Sequence, residues 1–169
     1  MFVNHAHLMP ASFREDGTRD VLLKLMDNCG IEQAVCFAPF PHQYGDGCNW
    51  LASEISADDR LYGYGSLDPS LDPEDQVQKI ADLGFKGIKL HPPAQKFEIW
   101  GAWSRRAYAS MEKHDLIADF HLGVHWHRLR DCNPLLCDEI AWHYPALKMV
   151  YEHVGGWHYY RQVLAVITN

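Results

Sequence analysis

The sequence has no disulfide framework and no paired cysteines of the zinc-ribbon kind. Its five cysteines, Cys29, Cys36, Cys48, Cys132 and Cys137, are odd in number and form no C-x-x-C pair. This usage argues against a stapled secreted scaffold and fits the reduced thiols of a cytoplasmic protein. Basic charge is also scarce. Fifteen Lys and Arg stand against 22 Asp and Glu, a net charge of −7, which leaves no basic face for nucleic acid and no polybasic patch for a membrane. No apolar run approaches the length that spans a bilayer. The polar stretch Asn4-His5-Ala6-His7 interrupts the first apolar residues, which argues against a signal peptide. Neither G-x-G-x-x-G nor G-x-x-x-x-G-K-[ST] follows any strand candidate, so the usual marks of nucleotide binding are missing. No linker, low-complexity tract or repeat divides the 169 residues, so residues 1–169 are expected to form a single domain. What the chain has in excess is histidine: eleven of them, several at paired spacing.

Strand-like and helix-like segments alternate along the chain. Residues 2–5 open as a short strand. Residues 18–28 place Val21, Leu22, Leu25 and Met26 at a helical period, with a stop at Cys29-Gly30. Residues 33–38 are a continuous apolar run closed by Pro39, as expected of a strand buried on both faces. A short helix over 48–56 and a strand over 60–65 follow. Asp72-Pro73-Glu74-Asp75 then starts a helix with a capping Asp, an early Pro and acids facing the dipole. That helix is predicted to reach Leu83. Residues 86–90 form the fourth strand, halted at His91-Pro92-Pro93. A helix over 102–113, a strand over 116–121, a helix over 134–143 and a sixth strand over 147–153 complete the pattern, with a last helix from Trp157 onward.

Such alternation implies a parallel sheet with right-handed crossovers, either a doubly wound open sheet or part of a β/α barrel. The histidines favour the barrel, whose chemistry sits at the C-terminal ends of its strands. The first strand ends at His5 and His7, the fifth at His121 and the sixth at His153. Residues two apart on a strand share a face, so His5 and His7 project together as the start of a zinc-type site. His121 is the expected third ligand, and His153 the expected general acid or base beside it. A lone His-x-His often has no role, and a strand-end histidine is often only hydrogen-bonded; their convergence on one rim carries the metal reading. His125-Trp126-His127 reads either as pocket lining or as a surface loop. Lys89 could pair with an acidic substrate, become a carbamylated metal bridge, or simply reach solvent. His42, His114, His143 and His158 read as ordinary surface or helix-end residues.

Together these residues carry a family resemblance. Gly84-Phe85-Lys86-Gly87-Ile88-Lys89-Leu90-His91-Pro92 resembles the fourth-strand signature of the amidohydrolase-2 family, which includes aminocarboxymuconate-semialdehyde decarboxylase and its relatives. Phe120-His121-Leu122-Gly123 resembles its fifth-strand histidine. The run from Asn133-Pro134-Leu135-Leu136 through Pro145-Ala146-Leu147-Lys148 to Glu152-His153-Val154-Gly155-Gly156 resembles its helix and sixth strand, and Asn4-His5-Ala6-His7-Leu8 its first strand.

The resemblance implies a distorted (β/α)8 barrel with one divalent metal, most often zinc. It implies His5, His7 and His121 as ligands and His153 as the acid/base group; Lys89, His91, His125 and Trp126 are the residues expected on the substrate side. Family reactions are hydrolysis of C–N or C–O bonds and non-oxidative decarboxylation of small, often aromatic, acids.

The chain departs from the family pattern at Val3, where many members carry an acid, and in length. A full barrel takes about 250 residues, so the expected architecture is an incomplete TIM-type barrel of six parallel strands with outer helices. The last two β/α units, with the family's eighth-strand aspartate, have no counterpart in these residues. The chain then reads as a fragment, or as a short homologue whose open edge a second copy covers, with little turnover by itself. The leading function is metal-dependent hydrolysis of a small carboxylic substrate, aromatic or lactone. A decarboxylase, a non-catalytic metal-binding or assembly protein and, more remotely, a metal-dependent nuclease are the alternatives.

Overall fold

The computed structural model describes residues 1–123 and 128–169. Six parallel strands lie in chain order: β1 (Phe2–His7), β2 (Gln33–Phe37), β3 (Leu61–Ser66), β4 (Gly87–Leu90), β5 (Ile117–His121) and β6 (Met149–Glu152). Between and after them run α1 (Arg19–Cys29), α2 (Gly47–Ile55), α3 (Pro73–Asp82), α4 (Pro92–Gln95), α5 (Ala102–Lys113), α6 (Leu136–His143) and α7 (Gly156–Thr168). Local chemistry sets the helix ends. Thr18 caps α1 at Val21 N, and Gly30 closes that helix at φ 65°, a conformation that favours glycine. Asp72 accepts from the backbone N–H groups of Glu74 and Asp75 at the start of α3.

The strands sort their side chains by parity. Ala34, Cys36, Leu61, Ile88, Leu90, Ala118 and Phe120 face outward and merge with Met26, Leu51, Val77, Ile80, Tyr108 and Met111 of the helices into the main core. Val35, Phe37 and Tyr64 face the other way and form a smaller cluster lined by Tyr62 and Ile117. Two apolar faces on one sheet are what continuous apolar strands require.

The sheet is curled. β1 and β6 are its edges in hydrogen-bonding order, yet His5 on β1 meets Glu152 on β6, Nδ1 to Oε1 at 2.6 Å. Laid flat, six strands spaced about 4.8 Å apart would hold those edges roughly 24 Å from each other. The architecture is therefore an incomplete TIM barrel, as the alternation and the strand-end histidines suggest. Among the described residues, no helix is long and apolar enough to cross a membrane.

Two of the boundaries that differ from expectation bear on the site. Pro92-Pro93 does not simply stop β4 but opens the short α4, because proline suits the first helical turn and His91 Nδ1 accepts from Ala94 N at 3.4 Å. The sixth strand ends at Glu152 instead of His153. His153 and Val154 take left-handed backbone angles, φ 59° and 48°, and turn the chain into α7.

Candidate metal centre

Strand parity brings His5 and His7 to the inner side of β1, where His5 Nε2 and His7 Nε2 are 3.1 Å apart. Phe37 on the neighbouring β2 supports both rings, its centroid 5.0 Å from His5 and 5.1 Å from His7. The His153 ring lies 5.3 Å from His5 and 4.6 Å from His121. His121 stacks on His91 at 3.7 Å with the planes 9° apart. A continuous row of imidazoles thus runs from His7 through His5, His153 and His121 to His91. His121 is 7% exposed and fixed by that stack, whereas His153 is exposed on the rim.

Beneath the imidazoles lies a buried charged layer. Lys89 on β4 and Asp119 on β5 are register partners, and Lys89 Nζ is 3.1 Å from Asp119 Oδ1. The same ammonium contacts Glu152 Oε2 and sits 4.7 Å from the Phe37 ring centroid. Lys89, Asp119 and Glu152 are all nearly closed to solvent. Ionised, the three carry one positive and two negative charges, an imbalance that favours a cation just above them.

Each group responds to this setting. Burial pushes the Lys89 ammonium down to about 8, against the pull of Asp119. It lifts the Asp119 carboxyl above its usual range, while Lys89 works the other way. His5 is lowered by burial and then by the Lys89 charge. His7 is pushed down to about 4, chiefly by desolvation and then by His5 and Lys89. Neutral imidazoles at neutral pH are the form that binds a metal.

The donor set suits a divalent ion. Two nitrogens bound at about 2.0–2.1 Å to one tetrahedral ion sit roughly 3.3 Å apart, close to the 3.1 Å between His5 and His7. Among the described residues, donor atoms of His5, Glu152 and His153 also lie within 4.8 Å of one another. Of these, Glu152 sits with its two oxygens close to His5 Nδ1 and Lys89 Nζ, although neither oxygen makes an aligned hydrogen bond among the described residues.

Of the residues singled out from sequence, His5, His7, His121, His153 and His91 all lie on one rim, His91 by stacking on His121. Lys89 does not reach solvent: it is fully buried, and two carboxylates face its ammonium. His125 and Trp126 lie outside the described residues. Asp119 and Glu152 escaped the sequence reading. For Asp119 a signal existed, since a charged residue two places before His121 in an apolar strand must share its inward face. Glu152 was obscured by assigning the inward position to His153.

The sequence profile of the Amidohydrolase family matches residues 11–168, a span that begins after His5 and His7. No curated protein matches the sequence. Among solved structures, an uncharacterized TIM-barrel protein from Bordetella bronchiseptica superposes with a TM-score of 0.77 at 22% identity, over 95% of this chain and 59% of that one. A protein assigned as 2-pyrone-4,6-dicarboxylic acid hydrolase from Pseudomonas putida gives 0.70 at 16%, over 98% and 63%. 5-Carboxyvanillate decarboxylase from Novosphingobium aromaticivorans, complexed with manganese and 4-hydroxy-3-methoxy-5-nitrobenzoic acid, gives 0.69 at 15%, over 96% and 68%. The chain thus spans about three fifths of the length of the first two structures. These likenesses establish the fold, and with a family profile matched over nearly its whole length, the chain belongs to the amidohydrolase family.

Proposed function

We propose that this chain carries the metal half of a hydrolase acting on a small carboxylic substrate, aromatic or lactone, with zinc as the leading metal. The observation that carries the reading is the His5–His7 Nε2 pair, 3.1 Å apart above a buried layer with excess negative charge. His5 and His7 would hold the ion, and His121, buried and fixed by stacking on His91, suits a third ligand. Bound there, a divalent ion supplies Lewis-acid polarisation and acidifies water. His153 suits proton transfer: it is exposed, touches the His5 and His121 rings, and can exchange protons with solvent. Phe37 closes the inner side of the His5–His7 pair to water.

Decarboxylation is the second reading, favoured by the manganese-bound decarboxylase among the structural neighbours. Hydrolysis comes first because it would need only an activated water and a proton carrier such as His153. Decarboxylation would call on Lys89 to hold the departing carboxylate, and Lys89 already pairs with Asp119 and Glu152.

The test loads metal-free protein with zinc or manganese, measures metal content, and assays lactones, amides and aromatic carboxylates for cleavage and for CO₂ release. Wild type should retain about one ion per chain, and the combined His5→Ala and His7→Ala variant should retain none. Equal metal in both would end the metal reading. CO₂ release without lactone or amide cleavage would replace hydrolysis with decarboxylation.

A further inference from the structure

Glu152 stands where no sequence pattern pointed. It is the last residue of β6, 5% exposed, and the register partner of His121. One carboxylate oxygen, Oε1, is 2.6 Å from His5 Nδ1, and the other, Oε2, contacts Lys89 Nζ. Among the described residues neither Glu152 oxygen makes an aligned hydrogen bond, so this is a close charge contact. A carboxylate this near favours a proton on Nδ1 over a lone pair there. A neutral imidazole that carries its proton on Nδ1 presents a lone pair at Nε2. That is the atom facing His7 Nε2 at 3.1 Å.

We propose that Glu152 is a positioning residue for the metal pair: anchored by Lys89, its carboxylate holds His5 in the Nδ1–H tautomer and aims the Nε2 lone pair at the point shared with His7. The inference rests on the metal reading of His5 and His7 but concerns a separate property of the ring. It also assigns Lys89 a task. By holding Oε2, the ammonium keeps the carboxylate from rotating away from His5, and Asp119 completes the charge pairing from the neighbouring strand.

The competing view makes Glu152 only a buried counter-ion for Lys89. The two separate in Glu152→Gln. An amide has one acceptor and one donor end. Its oxygen is drawn to the Lys89 ammonium, which leaves the NH₂ facing His5 Nδ1. The ring must then accept at Nδ1 and carry its proton on Nε2, where it blocks a metal.

The experiment uses the full chain with ¹⁵N-labelled histidine, free of metal, at mildly alkaline pH. Long-range ¹H–¹⁵N correlation reads the His5 tautomer, with His5→Gln providing the assignment. Zinc affinity is measured in parallel by chelator competition. Wild type should show Nδ1–H on His5. Glu152→Gln should show Nε2–H and bind zinc about 10–100-fold more weakly, the usual size of an outer carboxylate's effect on a ligating histidine. Adding Lys89→Met to Glu152→Gln frees the amide oxygen to accept from His5, so the Nδ1–H tautomer should return and much of the affinity with it. A purely structural role for Glu152 predicts no such rescue. Nε2–H on wild-type His5 overturns the proposal, as does a Glu152→Gln protein that keeps the Nδ1–H form and the wild-type affinity. If the double variant does not fold, the wild-type and single-variant tautomers still decide. If wild type binds no zinc, the metal reading fails, and the tautomer comparison alone judges Glu152.

Discussion

The four central strands and the two edge strands of this half-barrel are buried to very different degrees. On β2 to β5, Phe37, Ile88, Leu90, Ala118 and Phe120 are wholly enclosed, whereas Phe2 on β1 is 56% exposed and Met149, Val150 and Tyr151 on β6 are only partly covered. Exposed apolar side chains gather at the same edges: Val21 and Leu25 on α1, and Trp157, Leu164 and Ile167 on α7. The candidate site draws on both regions. Its fixed parts, Phe37, Lys89, Asp119 and His121, stand on central strands. Its solvent-facing parts, His7 and His153, belong to β1 and to the turn after β6, and the His5–Glu152 contact ties the two edges together. The centre therefore supplies a rigid, charged floor, and the edges supply groups that exchange ligands and protons.

The sharpest way to break that contrast is to empty the centre. Phe120→Ala removes a fully enclosed ring and should cost about 3–5 kcal/mol. Phe2→Ala at the edge should cost within about 0.5 kcal/mol. Urea denaturation of metal-free protein measures both, and similar losses would show that the edge is as tightly packed as the centre.

A smaller effect comes from acid. His5 and His7 are lowered in the folded protein, His7 to about 4, so between an ordinary histidine value of about 6.5 and the folded value the unfolded chain binds more protons. Stability should therefore fall as pH drops through that window and be unaffected by these rings above it. Asp119, raised by burial, acts in the opposite sense. The lowered surface carboxylates, Asp46, Asp58, Asp68 and Asp72, lose their contribution only below about pH 4. Thermal melts of metal-free protein at neutral pH and about pH 5 read the imidazoles net of Asp119's opposing share. His7→Gln should flatten the difference, and an unchanged slope would assign it elsewhere.

The smallest expected effect lies at the edge turn. Val154 is a β-branched residue at φ 48°, a region costly to any side chain with a Cβ. Val154→Gly should therefore stabilise the protein by about 1 kcal/mol without altering zinc binding. Destabilisation would mean that Val154 makes packing contacts outweighing its backbone strain. Loss of zinc binding would mean that the strained turn itself holds His153 over the site.

Much of the fold was legible because it is written in consecutive residues. Apolar periodicity, Asp72-Pro73 at one helix start and Gly30 at one helix end located the strands and helices within a residue or two. A spacing of two put His5 and His7 on one face, because alternation along a strand is a property of the backbone itself. The strand-end positions of His121 and His153 added them to that pair, and the family resemblance pointed the same way. What the sequence could not decide was which distant residues meet. The contact of His5 with Glu152 depends on curl accumulated over five strand pairings, and no local pattern encodes that sum. The same holds for Lys89. Its position at a strand end was plain from the sequence, but register set Asp119 beside it and curl brought Glu152 onto it, turning an apparent rim cation into a buried one. His153 is the clearest case. Strand parity alone would turn it away from the interior once Glu152 points in, and only the left-handed turn after β6 brings its ring back over the site.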